Sequence, residues 1–110
     1  MTVINIKAYI ISNREVLIVN DTYKGNVRYV VAQTAGVCSQ AIELLLEGDT
    51  ILDAAFHGGC NGNLKGIVSL VKGQKISDVK DRLTGITCGG KHTSCPDQFA
   101  QLLDEVSRTH

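Results

Sequence analysis

The hydrophobic pattern of this chain changes period at Cys60, and this change constrains the fold more than any other feature. Before it, the sequence is rich in β-branched residues and has no helical period, which predicts strands. The first strand-like segments are TVINIKAYII, REVLIVN and NVRYVVAQT. They are separated by SNR and by DTYKGN, in which Gly25-Asn26 supplies the turn.

The segment SQAIELLLEGDTILDAAFH, residues 39–57, predicts a β-hairpin. Its apolar residues alternate on both strands: Ile42, Leu44 and Leu46 on the first, and Leu52, Ala54 and Phe56 on the second. The turn is predicted at Glu47-Gly48-Asp49. A helix over residues 40–47 is the competing interpretation, because Gly48 suits a helix C-cap as well as a hairpin turn.

After Cys60, apolar residues recur at i, i+3, i+4 and i+7, which is typical of amphipathic helices. The first stripe is Leu64, Ile67, Val68 and Val71, closed by Gly73, and the last is Phe99, Leu102, Leu103 and Val106. Pro96 fits the first position of the last helix, which predicts that Cys95 is its N-cap.

A shorter helix is predicted between these two. Ser77 is placed to cap it, Asp78 suits its first turn, Val79 and Leu83 face inward, and Gly85 ends it. The predicted fold class is therefore α+β in one domain over residues 1–110. The antiparallel sheet comes mainly from the N-terminal half, and about three C-terminal helices pack on one face of it.

Charge and hydropathy exclude several functional classes. Eleven basic and eleven acidic residues cancel, and no basic run stands out, so we expect no nucleic-acid partner. The apolar runs are far shorter than the roughly 18 residues of a membrane span, and Met1 leads into a polar-interrupted segment rather than a signal peptide. We expect a cytoplasmic protein without membrane contact, and the N-terminal strand edge is compatible with a homodimer.

Four cysteines, Cys38, Cys60, Cys88 and Cys95, are the candidate functional residues. In a reducing compartment, several cysteines in one small domain are more often metal ligands or redox groups than disulfides. Cys60 and Cys95 each precede or open a predicted helix, where unpaired N–H groups favour a thiolate. No C-x-x-C pair is present, so spacing alone leaves buried apolar cysteines as an alternative.

Two histidines lie close in sequence to these cysteines. His57 and His92 could serve as substitute ligands, although a loop histidine is more often only solvated. His110 is terminal and carries no prediction.

The sequence resembles the TSCPD-domain family. The residues that carry this resemblance are TSCPD at Thr93–Asp97, GGCNGNLKGI, LVKGQKISDV and LTGITCGG, together with all four cysteines. The resemblance covers residues 36–106 and leaves residues 1–30 as additional N-terminal strands. A similar domain ends the adenosylcobalamin-dependent ribonucleotide reductases, which implies a role in DNA biosynthesis with a reductase or another redox protein as partner. The chain has no room for a complete ribonucleotide reductase.

A second resemblance is to iron–sulfur cluster scaffold proteins, in which Cys38, Cys60 and Cys95 would meet at one end of an α+β fold. Ser39-Gln40 stands where those scaffolds carry an acidic residue tied to cluster release, so the likeness does not extend to cluster delivery.

Together these observations predict that Cys38, Cys60, Cys88 and Cys95 hold a zinc ion or an iron–sulfur cluster. Two alternatives stay open at this point. One is a dithiol redox module using Cys88 and Cys95 or Cys60 and Cys95, and the other is an interaction domain without metal.

Overall fold

The computed structural model describes residues 16–59 and 61–108. It contains four strands, β1 (Leu17–Lys24), β2 (Val27–Gln33), β3 (Ser39–Glu47) and β4 (Thr50–Gly58), followed by three helices. The helices are α1 (Asn61–Val71), α2 (Ile76–Leu83) and α3 (Cys95–Arg108). The predicted α+β class is confirmed, with the strands in the first half and the helices in the second.

The sheet is an antiparallel meander with strand order β1-β2-β3-β4. The predicted hairpin at 39–57 is confirmed as β3 and β4, and the competing helix over 40–47 is wrong. Residues 21–24, predicted to separate two strands, instead continue β1 up to the turn at Gly25, whose φ is +62°. The predicted strand TVINIKAYII lies outside the described residues.

The core lies between one face of the sheet and the three helices. Ile42 and Leu44 of β3 are fully buried, as the alternation predicts, and Phe99 of α3 reaches the ring of Phe56 on β4 at 5.6 Å between centroids. The predicted apolar stripe of α3 faces this core and is at most 1% exposed, and Ile67, Val68 and Val71 of the α1 stripe also pack into or against it. Leu64, the first residue of the α1 stripe, is buried beside Gly59. The helical period therefore identified the packing surface correctly.

A bulge in β4 changes which residues reach the core. Leu45 pairs with Asp53 and Leu46 pairs with Ile51, so Leu52 is the extra residue between them. Because a bulge reverses the alternation, Ile51 is buried and Leu52 is 36% exposed. The prediction that Leu52 faces inward is wrong for this reason.

The start of α2 also differs from the prediction. α2 begins at Ile76, and Lys75 is the cap residue without a side-chain hydrogen bond, so the predicted cap Ser77 is wrong. Asp78 lies in the first turn, Val79 is buried and the helix ends before Gly85, as predicted.

A buried arginine ties the first hairpin to the end of α3. Arg28 is 5% exposed, and its guanidinium donates two hydrogen bonds to the carboxylate of Asp21, at 2.8 and 2.6 Å. It also donates to the carbonyl oxygen of Val106 at 2.9 Å. The charge is thus paired inside the fold, as a buried guanidinium requires.

Among residues 16–59 and 61–108, no helix has the length and apolar content that a bilayer crossing requires.

Candidate functional site

Two of the four cysteines meet at one end of the fold. Cys38 precedes β3 and Cys95 opens α3, and their Sγ atoms are 3.5 Å apart although 57 residues separate them in the chain. Cys95 is 5% exposed, whereas Cys38 lies at the surface. Spacing in the sequence did not single out this pair.

A second bulge orients the neighbour of Cys38. Ser39 pairs with Gly58 and Ala41 pairs with His57, so Gln40 is the extra residue. The bulge turns Ser39 toward the buried face, where its Oγ lies 3.1 Å from the Sγ of Cys95. Regular alternation from Ile42 would have placed Ser39 on the opposite face.

The N-terminus of α3 is built one residue earlier than predicted. The carbonyl oxygen of Ser94 accepts the first helical hydrogen bond, from the N–H of Gln98 at 2.9 Å, and its Oγ accepts from the N–H of Asp97 at 3.1 Å. Ser94 is therefore the N-cap, and Cys95 is the first helical residue. The prediction of Cys95 as N-cap with Pro96 in the first position is wrong by one residue.

Asp97 ties the loop before α3 to the helix. Its carboxylate accepts hydrogen bonds from the hydroxyl of Thr93 at 2.6 Å, the N–H of Gly85 at 2.7 Å and the side-chain amide of Gln101 at 3.1 Å. Burial raises the pKa of Asp97, but these donors outweigh burial and hold it below its ordinary value. The carboxylate thus fixes both ends of the segment that carries Cys88.

The Cys88 loop is closed by backbone hydrogen bonds. The N–H of Cys88 donates to the carbonyl oxygen of Thr93 at 3.3 Å, and the N–H of Lys91 donates to that of Cys88 at 3.0 Å. The hydroxyl of Ser94 donates to the carbonyl oxygen of Ile86 at 2.6 Å. This loop holds Cys88, which is exposed, on the wall of a cavity of about 370 Å³ that Cys38 and Cys95 also line.

Gln98 holds the Cys38 loop against α3. It is fully buried, and its side chain accepts from the N–H of Ala35 at 3.1 Å and donates to the carbonyl oxygen of Ala35 at 2.6 Å. Thr34 closes the same loop by donating its hydroxyl proton to the carbonyl oxygen of Ser39 at 2.7 Å. The hydrogen bonds of Gln98 therefore help to hold Cys38 near Cys95.

Sequence reasoning missed Gln98, although a signal was present. Gln98 follows Cys95 by three residues and precedes Leu102 by four, which places it on the buried stripe of α3. A polar residue on an apolar stripe needs an internal partner, and this requirement could have directed attention to it.

Gly59 is packed so closely against Cys38 that no side chain fits. Its φ is +85°, and a Cβ atom there would lie 2.9 Å from the Sγ of Cys38 and 3.1 Å from Cδ1 of Leu64. Glycine at this position therefore lets the backbone approach the sulfur of Cys38 closely. Cys60, the next residue in the chain, lies outside the described residues.

The two histidines lie away from the cysteine cavity. His57 on β4 contacts the carboxylate of Glu43 on β3 through Nε2, and the hydroxyl of Tyr29 donates to the same carboxylate at 2.9 Å. The hydrogen bonds from His57 and Tyr29 lower the pKa of Glu43. His92 is exposed in the loop before α3, and neither histidine lines the cavity.

In the part of the chain that the structure describes, no three His, Cys, Asp or Glu side chains are grouped so that they could hold a metal ion. That part includes three of the predicted ligands and leaves out Cys60.

The family of the chain follows from its sequence. The family model of the TSCPD domain matches residues 21–107, so the chain belongs to the TSCPD-domain family and the predicted resemblance is confirmed. The five residues that name the domain have defined roles in this fold: Thr93 and Asp97 join the loop to α3, Ser94 caps the helix, and Cys95 and Pro96 begin it. The comparisons with curated proteins and with solved structures gave no match.

Proposed function

We propose that this TSCPD-domain protein binds a zinc ion or an iron–sulfur cluster through its cysteine thiolates. The observation that supports this proposal is the distance of 3.5 Å between the Sγ atoms of Cys38 and Cys95. Two thiolates bound to one tetrahedral zinc at about 2.3 Å lie roughly 3.8 Å apart. The pair therefore has nearly the separation that two ligands of one metal need.

The remaining ligands of the proposed site are Cys60 and Cys88. Cys60 directly follows Gly59 in the sequence, and Gly59 packs against the sulfur of Cys38. Cys88 lies on the wall of the cavity shared by Cys38 and Cys95. A movement of the Cys88 loop toward this pair would complete a set of four thiolates.

Four thiolates leave no open position on a tetrahedral metal, so the proposed site is structural or storage-related rather than hydrolytic. A bound metal would join the Cys38 loop, the Cys88 loop and α3. In a reducing cytoplasm the thiolates stay available to it. The likeness to the C-terminal domain of ribonucleotide reductases leads us to propose a reductase or another redox protein as partner.

The test is metal analysis of protein purified without oxygen, combined with absorption spectroscopy and thiol counting. We expect about one zinc ion or one cluster per chain, and Cys38→Ser and Cys95→Ser should each abolish binding because both sulfurs would be ligands. Ser107→Ala, a small change on α3 that removes only a hydrogen bond to Leu103, is the matched control. A metal content near zero with all four thiols reactive would refute the proposal.

A second candidate function is dithiol–disulfide exchange by Cys38 and Cys95. Its support is the same contact, since two sulfurs 3.5 Å apart need to approach by little to form a bond. The exposed thiolate of Cys38 would attack a disulfide of a partner protein, and Cys95 would then displace the partner. The two cysteines lose two electrons and two protons, and the partner disulfide becomes two thiols.

Redox titration of the metal-free protein separates the two functions. If exchange is the function, Cys38 and Cys95 form the disulfide within the range of the cytosolic glutathione potential, and peptide mapping recovers them linked. The alternative pairs, Cys88 with Cys95 and Cys60 with Cys95, would appear as different cross-linked peptides. A protein that remains fully reduced over this range is not a dithiol exchanger.

A further inference from the structure

The outer edge of β4 is partly covered and partly open. The segment that follows α1 covers the edge at Ile51. The N–H of Ile51 donates to the carbonyl oxygen of Gln74 at 2.9 Å, and the carbonyl oxygen of Ile51 accepts from the N–H of Gly73 at 2.7 Å. Beyond it, the N–H of Ala54 donates to the carboxylate of Asp53 at 2.8 Å. Within residues 16–59 and 61–108, no further strand pairs with β4 on the side away from β3.

A cleft of about 370 Å³ runs between this open edge and α1. Three consecutive residues of β4, Ala54, Ala55 and Phe56, line it. Because successive side chains of a strand point to opposite faces, a cleft lined by consecutive residues follows the edge of the strand. The backbone of β4 is thus accessible along the cleft.

The opposite wall of the cleft carries positive charge. Lys65 and Lys72 lie seven residues apart on or just after α1 and both line the cleft, and its described lining contains no aspartate or glutamate. The Nζ of Lys72 is 3.8 Å from a carboxylate oxygen of Asp53, with both side chains about half exposed, so this ion pair is weak. Leu64 and Val68 supply apolar surface between the two lysines.

We propose that this cleft binds an extended acidic peptide of a partner protein, which adds to the sheet as a fifth strand beside β4. The peptide backbone pairs with the open edge, and its carboxylates contact Lys65 and Lys72. Apolar side chains at alternate positions lie against the wall formed by Leu64 and Phe56. The described lining of this cleft shares only Leu64 with the cysteine cavity and contains no cysteine, so the proposal does not depend on metal or redox chemistry there.

The probe is a fluorescent peptide of alternating glutamate and valine, about six residues long, the usual length of a strand. Fluorescence anisotropy should show saturable binding at moderate ionic strength, and amide NMR shifts should concentrate at residues 54–58 and on α1. The variant Lys65→Glu/Lys72→Glu should weaken binding about tenfold or more, because two attractive contacts become repulsive. The control Lys24→Glu/Arg82→Glu makes the same change in net charge at exposed positions outside the cleft, and it should bind normally.

A peptide with the same sequence and alternate backbone amides N-methylated tests strand addition directly. It keeps the carboxylates but cannot pair on the methylated edge, so it should lose binding. Equal affinity of the methylated and unmethylated peptides would refute strand addition. Equal loss in both charge-reversal variants, or no binding up to about 1 mM, would refute the acidic-peptide site.

Discussion

Replacing Asp97 by asparagine tests whether the carboxylate organises the segment around the cysteines. The substitution keeps the size of the side chain and removes its charge. Asp97 is 7% exposed and accepts three hydrogen bonds, from Thr93, Gly85 and Gln101. Asparagine has one acceptor oxygen and presents an NH₂ group to the remaining donors, so at least one hydrogen bond is lost.

The expected cost follows from the number and type of these bonds. A hydrogen bond to a charged group contributes about 1.5–3 kcal/mol, and a buried donor left without a partner adds a desolvation cost. We therefore expect Asp97→Asn to lower the free energy of unfolding by about 2–4 kcal/mol at neutral pH. Asp81→Asn, an exposed aspartate on α2, should change it by less than about 0.5 kcal/mol.

The effect of Asp97→Asn should depend on pH in a defined direction. The pKa of Asp97 is lower in the folded chain than its ordinary value. The ionised carboxylate therefore stabilises the fold at pH values above about 3.9, the pKa of an aspartate in the unfolded chain. This contribution is lost as the pH falls through the lower pKa that Asp97 has in the folded chain. The difference between the wild type and Asp97→Asn should be largest near neutral pH and shrink below about pH 4.

Urea unfolding of the wild type and both variants at several pH values measures these quantities. If Asp97→Asn lowers the free energy of unfolding by less than about 0.5 kcal/mol at pH 7, the three hydrogen bonds contribute little to stability. A difference that stays constant or grows on acidification would contradict the charge-based explanation.

Two further substitutions test the packing of the cysteine site by the same unfolding measurement. Gly59→Ala should destabilise the fold by about 1–3 kcal/mol, because its Cβ would lie 2.9 Å from the sulfur of Cys38 at a φ of +85°. Gly62→Ala, on α1 with open space around it, should instead be neutral or stabilise by up to about 1 kcal/mol, and equal effects of the two would contradict this reasoning. Gln98→Met removes two hydrogen bonds to a loop exposed to water, so it should lower the free energy of unfolding by about 1–3 kcal/mol and increase the rate at which Cys38 is alkylated. The control Gln33→Met, at an exposed position of β2, should change neither the free energy of unfolding nor the alkylation rate.

The sequence by itself determined the class of the fold. The change from β-branched alternation to a helical stripe is a local property, and it identified the hairpin at 39–57 and the buried face of α3. The TSCPD run and its cysteines identified the family in the same way, because a motif of consecutive residues needs no tertiary information. Local chemistry did not locate the caps: Ser77 lies two positions after Lys75, the cap of α2, and Cys95 lies one position after Ser94, the cap of α3.

Tertiary structure decided which cysteines meet and what surrounds them. The contact between Cys38 and Cys95 joins residues 57 apart, and it rests on the bulge at Gln40 and on the pairing of Gln98 with Ala35. A bulge is set by how a strand must bend to fit its neighbours, so no local period encodes it. The sequence could name the four sulfur atoms, but only the packing of α3 against the start of β3 brought two of them into contact.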